Sequence, residues 1–163
     1  MPVSQVLILT TGGTIDKLYF DALSTYQIGD SVVDRLLQTA RVTLPHRIMG
    51  LMRKDSLELT DDDRTAIRDA VAQAPEDRIV ITHGTDTMTE TAQALSGLAG
   101  KTVVLVGALA PARFAESDAA FNLGMAFATA QVAPPGVWIA MNGTIFDGTK
   151  VRKDRSKNAF VPV

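Results

Sequence analysis

Two threonine-bearing loops are the parts of the sequence best suited to chemistry. The first reads Thr-Thr-Gly-Gly-Thr-Ile at residues 10–15, and the second reads His-Gly-Thr-Asp-Thr at residues 83–87. Each loop follows a short apolar run that is typical of a buried strand. In a parallel sheet both loops would leave the same edge, which is where open α/β folds bind their ligands. The two loops are therefore expected to present activated hydroxyl groups to one pocket.

Each loop also has a purely structural interpretation. The glycine pair of the first loop is typical of a tight turn after a strand, and its spacing fits neither the dinucleotide-binding motif nor the P-loop. In the second loop, Thr87 and Glu90 have the spacing of a capping box, which would start a helix. His83, at the end of a strand, is more typical of a hydrogen-bonded structural histidine than of a ligand or a base. The capping box does not explain Thr85 or Asp86.

Composition narrows the classes of function. The 163 residues suffice for one well-filled core, and the formal net charge of −2 gives no electrostatic footprint for nucleic acid. The chain has no cysteine and two histidines, which excludes a disulfide framework, a thiolate metal site and a histidine cluster. We expect no metal and no organic cofactor. The N-terminal region shows neither an export signal nor a membrane-spanning run, so a cytoplasmic protein without a membrane partner is expected.

Apolar runs rich in β-branched residues alternate with helical patterns along the chain. The runs predict five strands, at residues 6–9, 47–51, 78–82, 102–106 and 137–141. The helical patterns predict four helices, at residues 32–40, 67–74, 88–98 and 115–131. Continuous apolarity indicates strands buried on both faces. The sequence therefore predicts an α/β fold, a three-layer αβα sandwich with a largely parallel sheet in a single domain.

One stretch does not fit the alternation of strands and helices. Residues 14–29 are predicted to be irregular and are too long for an ordinary connection between a strand and a helix. The stretch contains the aromatic residues Tyr19, Phe20 and Tyr26. We predict a binding loop or lid that is mobile without ligand and closes over it, which would bring Tyr26 to Thr14.

Taken together, these segments resemble the bacterial-type L-asparaginases and the related glutaminase-asparaginases. The residues at 11–15 look like the family's first motif, and Ile-Thr-His-Gly-Thr-Asp-Thr at 81–87 looks like its second. Shorter similarities are found in Tyr-Gln-Ile-Gly, Asp-Ser, Val-Gly-Ala, Phe-Asn-Leu and the segment from Asp147 to Lys153. The resemblance spans essentially the whole chain.

The resemblance implies a hydrolase that releases ammonia from the side-chain amide of asparagine or a related small amide. The reaction would pass through an acyl-threonine intermediate. Thr14 would be the nucleophile, and Tyr26 would be the neighbouring phenol that takes its proton. Thr85, Asp86 and Lys153 would form a second triad.

The resemblance also implies a set of substrate-binding positions. Ser56 and Asp86 would hold the α-carboxylate and the α-amine of an amino-acid ligand such as asparagine or aspartate. Backbone amides beside the two threonines would form the oxyanion site. The implied binding positions are Gly13, Asp55, Ser56, Gly84 and Ala108.

Lys153 has two interpretations in the sequence. Without the resemblance it belongs to an exposed basic stretch at residues 150–157. Within the triad it would act either as a neutral base or as a cation that organises charge. The choice depends on how strongly the fold removes it from water and how close it lies to Asp86.

The sequence departs from the family pattern at three places. Leu57 stands where the family commonly has a polar side chain, and Asp16 and Lys17 place charge where the family often has small residues. The family's smaller C-terminal domain has no counterpart in residues 1–163, so we expect an asparaginase N-terminal-like domain that forms a homodimer or a higher homo-oligomer.

Three functions are compatible with these features. The first is the amidohydrolase itself. The second is a non-catalytic module that binds an amino acid in a regulatory role. The third is the amidase component of a larger amidotransferase-type assembly.

Overall fold

A computed structural model describes the backbone of residues 5–20, 25–29 and 31–163, and the side chains of these residues apart from 19, 20 and 25–28. The described part forms ten strands, β1 to β10 in chain order: Val6–Gly12, Lys17–Phe20, Thr25–Ile28, His46–Lys54, Arg78–Thr82, Thr102–Val106, Gly136–Met141, Thr144–Asp147, Val151–Asp154 and Ala159–Pro162. It also forms four α-helices, α1 to α4: Val33–Thr39, Asp61–Gln73, Met88–Leu95 and Ala119–Val132.

Six strands form one sheet in the order β4-β1-β5-β6-β7-β8. The first five strands in this order run parallel, and β8 pairs with β7 in the antiparallel direction. In the register of β1 with β5, Thr10 lies opposite Thr82, so these two strands reach the same edge of the sheet together. The loops that follow them therefore leave the sheet side by side, as the sequence predicts.

The sheet is covered on both faces. Leu7 and Leu9 of β1 pack in one core cluster that takes its helical residues from α2 and α3. Ile8, on the opposite face of the same strand, packs in a second cluster with residues of α1 and α4. Alternate side chains of a strand point to opposite faces, so an entirely apolar strand requires two cores. The predicted three-layer αβα sandwich is confirmed.

The helix ends show where local sequence decides the fold and where it does not. The capping box lies at α2, where Thr60 Oγ1 accepts from the Asp63 amide and the Asp63 carboxylate accepts from the Thr60 amide. The predicted capping box at Thr87 and Glu90 was wrong. Thr87 occupies the N-cap position of α3, but its hydroxyl donates to the Ser56 carbonyl at 2.7 Å. A tertiary partner has replaced the local one.

Residues 14–29 were wrongly predicted to be irregular. They begin with a 3-10 turn at Thr14–Asp16 and continue into an antiparallel hairpin of β2 and β3, in which Lys17 pairs with Ile28. The Asp16 carbonyl accepts from the Gly29 amide at 2.9 Å, which closes the base of the hairpin. Residues 21–24 and 30 lie outside the described part of the chain. Closure over a ligand stays a prediction.

The last three strands were not predicted. Strand β8 extends the main sheet, while β9 and β10 form a separate antiparallel hairpin. Val151 and Phe160 of this hairpin are buried in the same core cluster as α2 and α3. That anchoring fixes the segment that carries Lys153. No helix in the described part of the chain is both long enough and apolar enough to cross a membrane.

Candidate active site

The two threonine loops meet backbone to backbone. Gly13 has a φ of 90°, and a carbon added at its Cβ position would lie 2.5 Å from the backbone nitrogen of Gly84. A carbon added to Gly84 would in turn lie 2.6 Å from the Cβ of Ser56. Only glycine permits such a close approach together with a positive φ. The backbone of Gly13 therefore packs directly against Gly84, and Gly84 packs against Ser56. This contact supports the prediction that both loops contribute to one site.

The threonines of the first loop have different positions. Thr11 is buried, and its hydroxyl donates to the Thr82 carbonyl at 2.7 Å, which ties the ends of β1 and β5 together. Thr14 opens the 3-10 turn and is half-buried, and its carbonyl accepts from the Lys17 amide. Within the described part of the chain, no side chain forms a hydrogen bond with the Thr14 hydroxyl. The Thr11 hydroxyl therefore serves the fold by joining two neighbouring strands.

Lys153 lies at the centre of the second triad. Its ammonium donates to Thr85 Oγ1 at 2.8 Å and to Asp86 Oδ1 at 2.9 Å, and its side chain is 13% exposed. Thr85 is buried. Lys153 therefore does not belong to an exposed basic stretch. The contacts that the resemblance implied for these three residues are present.

Arg155 adds a second cation to the triad. Its guanidinium lies 3.6 Å from Asp86 Oδ1, and the Arg155 side chain is 68% exposed. Such an exposed pair contributes little to stability because water screens it. Its effect is on the charge of the site: Asp86 faces two cations.

Ser56 is a buried link between loops. It opens a 3-10 turn at Ser56–Glu58, and its Oγ accepts from the Asp86 amide at 3.2 Å. Asp55 caps that turn, since its carboxylate accepts from the Leu57 amide at 3.1 Å. The Leu57 side chain, which departs from the family pattern, is 66% exposed. Ser56 thus holds the Asp86 backbone, and Asp55 holds the turn that carries Ser56.

Asp55 also pairs with a residue of the first loop. Its Oδ2 lies 3.0 Å from the Lys17 ammonium. Burial acts to raise the pKa of the Asp55 carboxyl. The Leu57 amide and the ammonium groups of Lys17 and Lys153 outweigh burial and hold that pKa below its usual value. Asp55 is therefore a carboxylate in the electrostatic range of both lysines.

A third loop, after β6, completes this edge of the sheet. Ala108 is buried in a small apolar cluster that includes Ile15. The Asp118 carboxylate accepts from the backbone amides of Leu109 and Ala110 at 2.9 to 3.1 Å. The Ala108 side chain therefore serves packing, and any contact of this position with a ligand would be made by its backbone.

His83 is a structural residue. It is fully buried, its Nδ1 lies 2.6 Å from the Gly84 carbonyl, and its Nε2 lies 2.7 Å from Thr91 Oγ1. Burial lowers its pKa to about 4, so the ring is neutral at pH 7. Because a carbonyl can only accept, Nδ1 carries the hydrogen and Nε2 accepts from the Thr91 hydroxyl. The interpretation of His83 as a hydrogen-bonded structural histidine is confirmed.

Tyr26 is placed by its backbone alone. It lies in β3, opposite Tyr19 of β2. Its side chain lies outside the described part of the structure, so the role predicted for its phenol stays a prediction.

Comparison with known proteins connects these positions to a family. The family profile described as "Asparaginase, N-terminal" matches residues 5–161. The chain belongs to the asparaginase family. The resemblance drawn from the sequence motifs is thereby confirmed.

Individual members of the asparaginase family show how much of their length this chain covers. It is 46% identical to the L-asparaginase 2 of Escherichia coli, over 94% of this chain and 47% of that protein. The L-asparaginase of Thermococcus kodakarensis is 35% identical over 96% of this chain and 50% of its own length. The solved structure of the Thermococcus protein matches 98% of this chain and 51% of its own, with a TM-score of 0.83 and 32% identity.

A relative with a different name is also similar to this chain. A glutamyl-tRNA(Gln) amidotransferase component from Methanococcus vannielii is 41% identical over 99% of this chain and 42% of its own length. The chain spans about half the length of the curated relatives that it matches.

Three residues of this asparaginase-type site were not assigned a role from the sequence. Lys17 stood out only as a departure from the family pattern, although it is adjacent to the first motif. Arg155 follows Lys153 closely but looked like part of a basic stretch. Asp118 fell inside the helix predicted at residues 115–131, whereas it precedes α4 in the structure, and no sequence signal indicated that it holds the loop after β6.

Proposed function

We propose that this chain is an amidohydrolase that hydrolyses the side-chain amide of asparagine or a related small amide to an acid and ammonia. The observation that carries the proposal is the position of the Lys153 ammonium, within hydrogen-bond distance of both Thr85 and Asp86. Thr85 and Asp86 of this triad directly follow Gly84, whose backbone contacts Gly13, the residue before Thr14. Membership of the asparaginase family supports the same chemistry.

The proposed reaction has two halves. In the first, Thr14 Oγ attacks the amide carbon while the Tyr26 phenol oxygen takes the hydroxyl proton and releases its own proton, which passes to the amide nitrogen. Backbone amides beside the two threonines stabilise the resulting oxyanion. The carbon–nitrogen bond then breaks, and ammonia leaves an ester on Thr14. In the second half, water attacks that ester, the acid leaves, and the threonine hydroxyl is restored.

The second triad is proposed to act by organising charge. An ammonium has three donors, and Lys153 uses two of them on Thr85 and Asp86. Because the Thr85 oxygen accepts from Lys153, its own hydrogen is free to point to a ligand or a water. Asp86, as a carboxylate at 2.9 Å, stabilises the charged form of the lysine. Of the two roles open to Lys153, we therefore favour the cation.

A second candidate function is the amidase component of an amidotransferase. The observation that favours it is the 41% identity to a glutamyl-tRNA(Gln) amidotransferase component over 99% of this chain. In this role glutamine would be preferred over asparagine, and ammonia would pass to a partner. A kcat/KM for glutamine well above that for asparagine would support this role, and the reverse order would count against it.

The first experiment is to measure ammonia release from L-asparagine and L-glutamine by the purified protein. Thr14→Ala and Thr85→Val variants, prepared identically, exclude a contaminating host enzyme. Release that disappears in both variants would establish an amidohydrolase that needs both threonines. No release from a folded protein that binds aspartate in calorimetry would indicate a non-catalytic amino-acid-binding module instead.

We also propose that the protein is cytoplasmic, that residues 1–163 fold as one N-terminal-type domain, and that it forms a homodimer or a higher homo-oligomer. The absence of cysteine fits a reducing compartment. Phe121 and Ile145 are 64% and 40% exposed, and exposed apolar side chains are typical of contact surfaces. Light scattering that shows only a 17.4 kDa monomer would contradict the oligomer.

A further inference from the structure

Charged side chains surround the two threonine loops. Three ion pairs link them in the structure: Lys17 with Asp55 at 3.0 Å, Lys153 with Asp86 at 2.9 Å, and Arg155 with Asp86 at 3.6 Å. We call these five side chains the cluster. The pair of Lys17 with Asp55 is electrostatically coupled to the other two pairs, because the Lys153 charge contributes to lowering the pKa of the Asp55 carboxyl. The site is thus one connected set of charges.

Lys17 links the turn that contains Thr14 to the turn that begins with Ser56. Its backbone amide donates to the Thr14 carbonyl, so it belongs to the same turn as the proposed nucleophile. Its side chain reaches Asp55, the cap of the turn that begins with Ser56. Both side chains are about one-third exposed or less, at 27% for Lys17 and 32% for Asp55. Lys17 therefore connects the nucleophile turn to the loop expected to bind the substrate's polar end.

The formal charges of the five side chains in these three ion pairs do not balance. Three cations face two carboxylates: Lys17, Lys153 and Arg155 against Asp55 and Asp86. Both carboxylates already have a cationic partner before a ligand arrives. A ligand carboxylate would bring the cluster to neutrality, whereas a ligand ammonium would have to compete with the resident cations for the same two carboxylates.

We propose that Lys17 and Arg155 determine specificity by occupying the carboxylates that would otherwise bind an α-ammonium group. The site then prefers an amide that carries a carboxylate but no free ammonium, such as the mono-amide of a dicarboxylic acid. This inference rests on the proposed amidohydrolase function and narrows its substrate class. Succinamic acid, which is asparagine without its α-amine, is the direct probe.

The test compares kcat/KM for succinamic acid with kcat/KM for L-asparagine. We expect the unmodified protein to prefer succinamic acid. Lys17→Gln should shift the ratio roughly fivefold toward asparagine, the size expected for one partly exposed charge pair. Lys17→Arg keeps the charge and should keep the ratio, which guards against a loss of folding. Lys150→Gln removes an exposed lysine outside the cluster and should leave the ratio unchanged.

Two outcomes would overturn the inference. One is hydrolysis of asparagine as fast as or faster than that of succinamic acid, and the other is the same ratio in Lys17→Gln as in the unmodified protein. Failure of the proposed function is distinguished by the absence of ammonia from either substrate. In that case calorimetry with the products decides: tighter binding of succinate than of aspartate supports the charge selection, and equal or weaker binding of succinate overturns it.

Discussion

The two threonine loops leave neighbouring strands at the same edge of the sheet, yet the fold holds them differently. The hydroxyl of Thr85 accepts from Lys153 and is buried. The turn of Thr14 is fixed through its backbone, by the contact of Gly13 with Gly84. The second loop is therefore arranged before a ligand arrives, whereas the first presents a hydroxyl that no described side chain fixes.

This difference fits a division of labour in catalysis. Charged groups that are already in place stabilise a transition state without having to reorganise. The Lys153 triad is proposed to act in this way. Thr14, the proposed nucleophile, precedes the hairpin of β2 and β3, and the predicted closure of this segment would let it adjust to a substrate. We therefore predict a rigid half around the Lys153 triad and an adjustable half around the Thr14 side chain, joined at Gly13 and Gly84.

The largest expected effect comes from removing the charge of the rigid half. Lys153→Met keeps the length and apolar body of the side chain but removes the donor to Thr85 and Asp86. We expect kcat for ammonia release to fall roughly 10²- to 10³-fold, as for other losses of a fixed electrostatic group. Lys150→Met is the matched control and should retain activity. A fall of less than threefold in Lys153→Met would show that the triad is not part of the machinery.

The junction of the two halves is tested by Gly13→Ala. The added carbon would lie 2.5 Å from the Gly84 nitrogen at a φ of 90°, so the loops must separate. We expect the free energy of unfolding to fall by about 3 kcal/mol, measured by urea denaturation. Gly97→Ala has a similar φ of 84° with nothing within 4 Å, and should cost only about 1 kcal/mol. Equal losses in the two variants would mean that the contact is relaxed in solution.

His83 should make the free energy of unfolding depend on pH through the rigid half of the site. Its folded-state pKa of about 4 lies below that of an unfolded histidine, so the unfolded chain takes up a proton first as the pH falls. Stability is therefore lost between about pH 6.5 and pH 4, by roughly 3 kcal/mol. Unfolding measured across this range should show the loss, and His83→Gln should remove this part of the slope. His46→Gln controls for the substitution of a histidine, and an unchanged slope in His83→Gln would contradict the assignment.

Asp16 should give the smallest effect, with the opposite sign, in the adjustable half. Burial raises the pKa of its carboxyl, despite the bond that its Oδ1 accepts from the Val32 amide at 3.0 Å. The folded chain therefore holds its proton to a higher pH than the unfolded chain does. Stability falls as the pH rises through this interval, because ionisation is easier in the unfolded state. Asp16→Asn keeps an acceptor for Val32 and should flatten this part of the profile; an unchanged profile would show that the carboxylate is not penalised.

The sequence predicts the central strands of the sheet well, because an apolar run is a local signal. Strand β5 was predicted with its observed bounds, and an apolar run such as Ile79–Ile81 admits few other structures in a two-sided core. Strands β9 and β10 were missed, since Val-Arg-Lys-Asp is short and polar and becomes a strand only where Val151 and Phe160 reach the core. Secondary structure that depends on a distant partner leaves no periodic pattern.

The same distinction applies to the site. Thr14 and Thr85 could be selected because both follow apolar strands, whereas Lys153 was selected by resemblance rather than by any local pattern. The pair of Lys17 with Asp55 joins segments that are far apart in the chain, so neither residue signals the other. Thr87 shows the limit most directly: its spacing fits a local cap, and the fold gave its hydroxyl to Ser56.

The order of the site residues along the chain has a consequence for biosynthesis. The site draws on Gly13 near one end of the sequence and on Lys153 near the other, and the two loops meet only after β1 has paired with β5. A nascent chain can form local helices as it leaves the ribosome, but it cannot assemble the proposed catalytic cluster until the hairpin of β9 and β10 has emerged. The proposed activity would therefore appear only after residues 151–162 have emerged, and a nascent chain without this hairpin would be inactive.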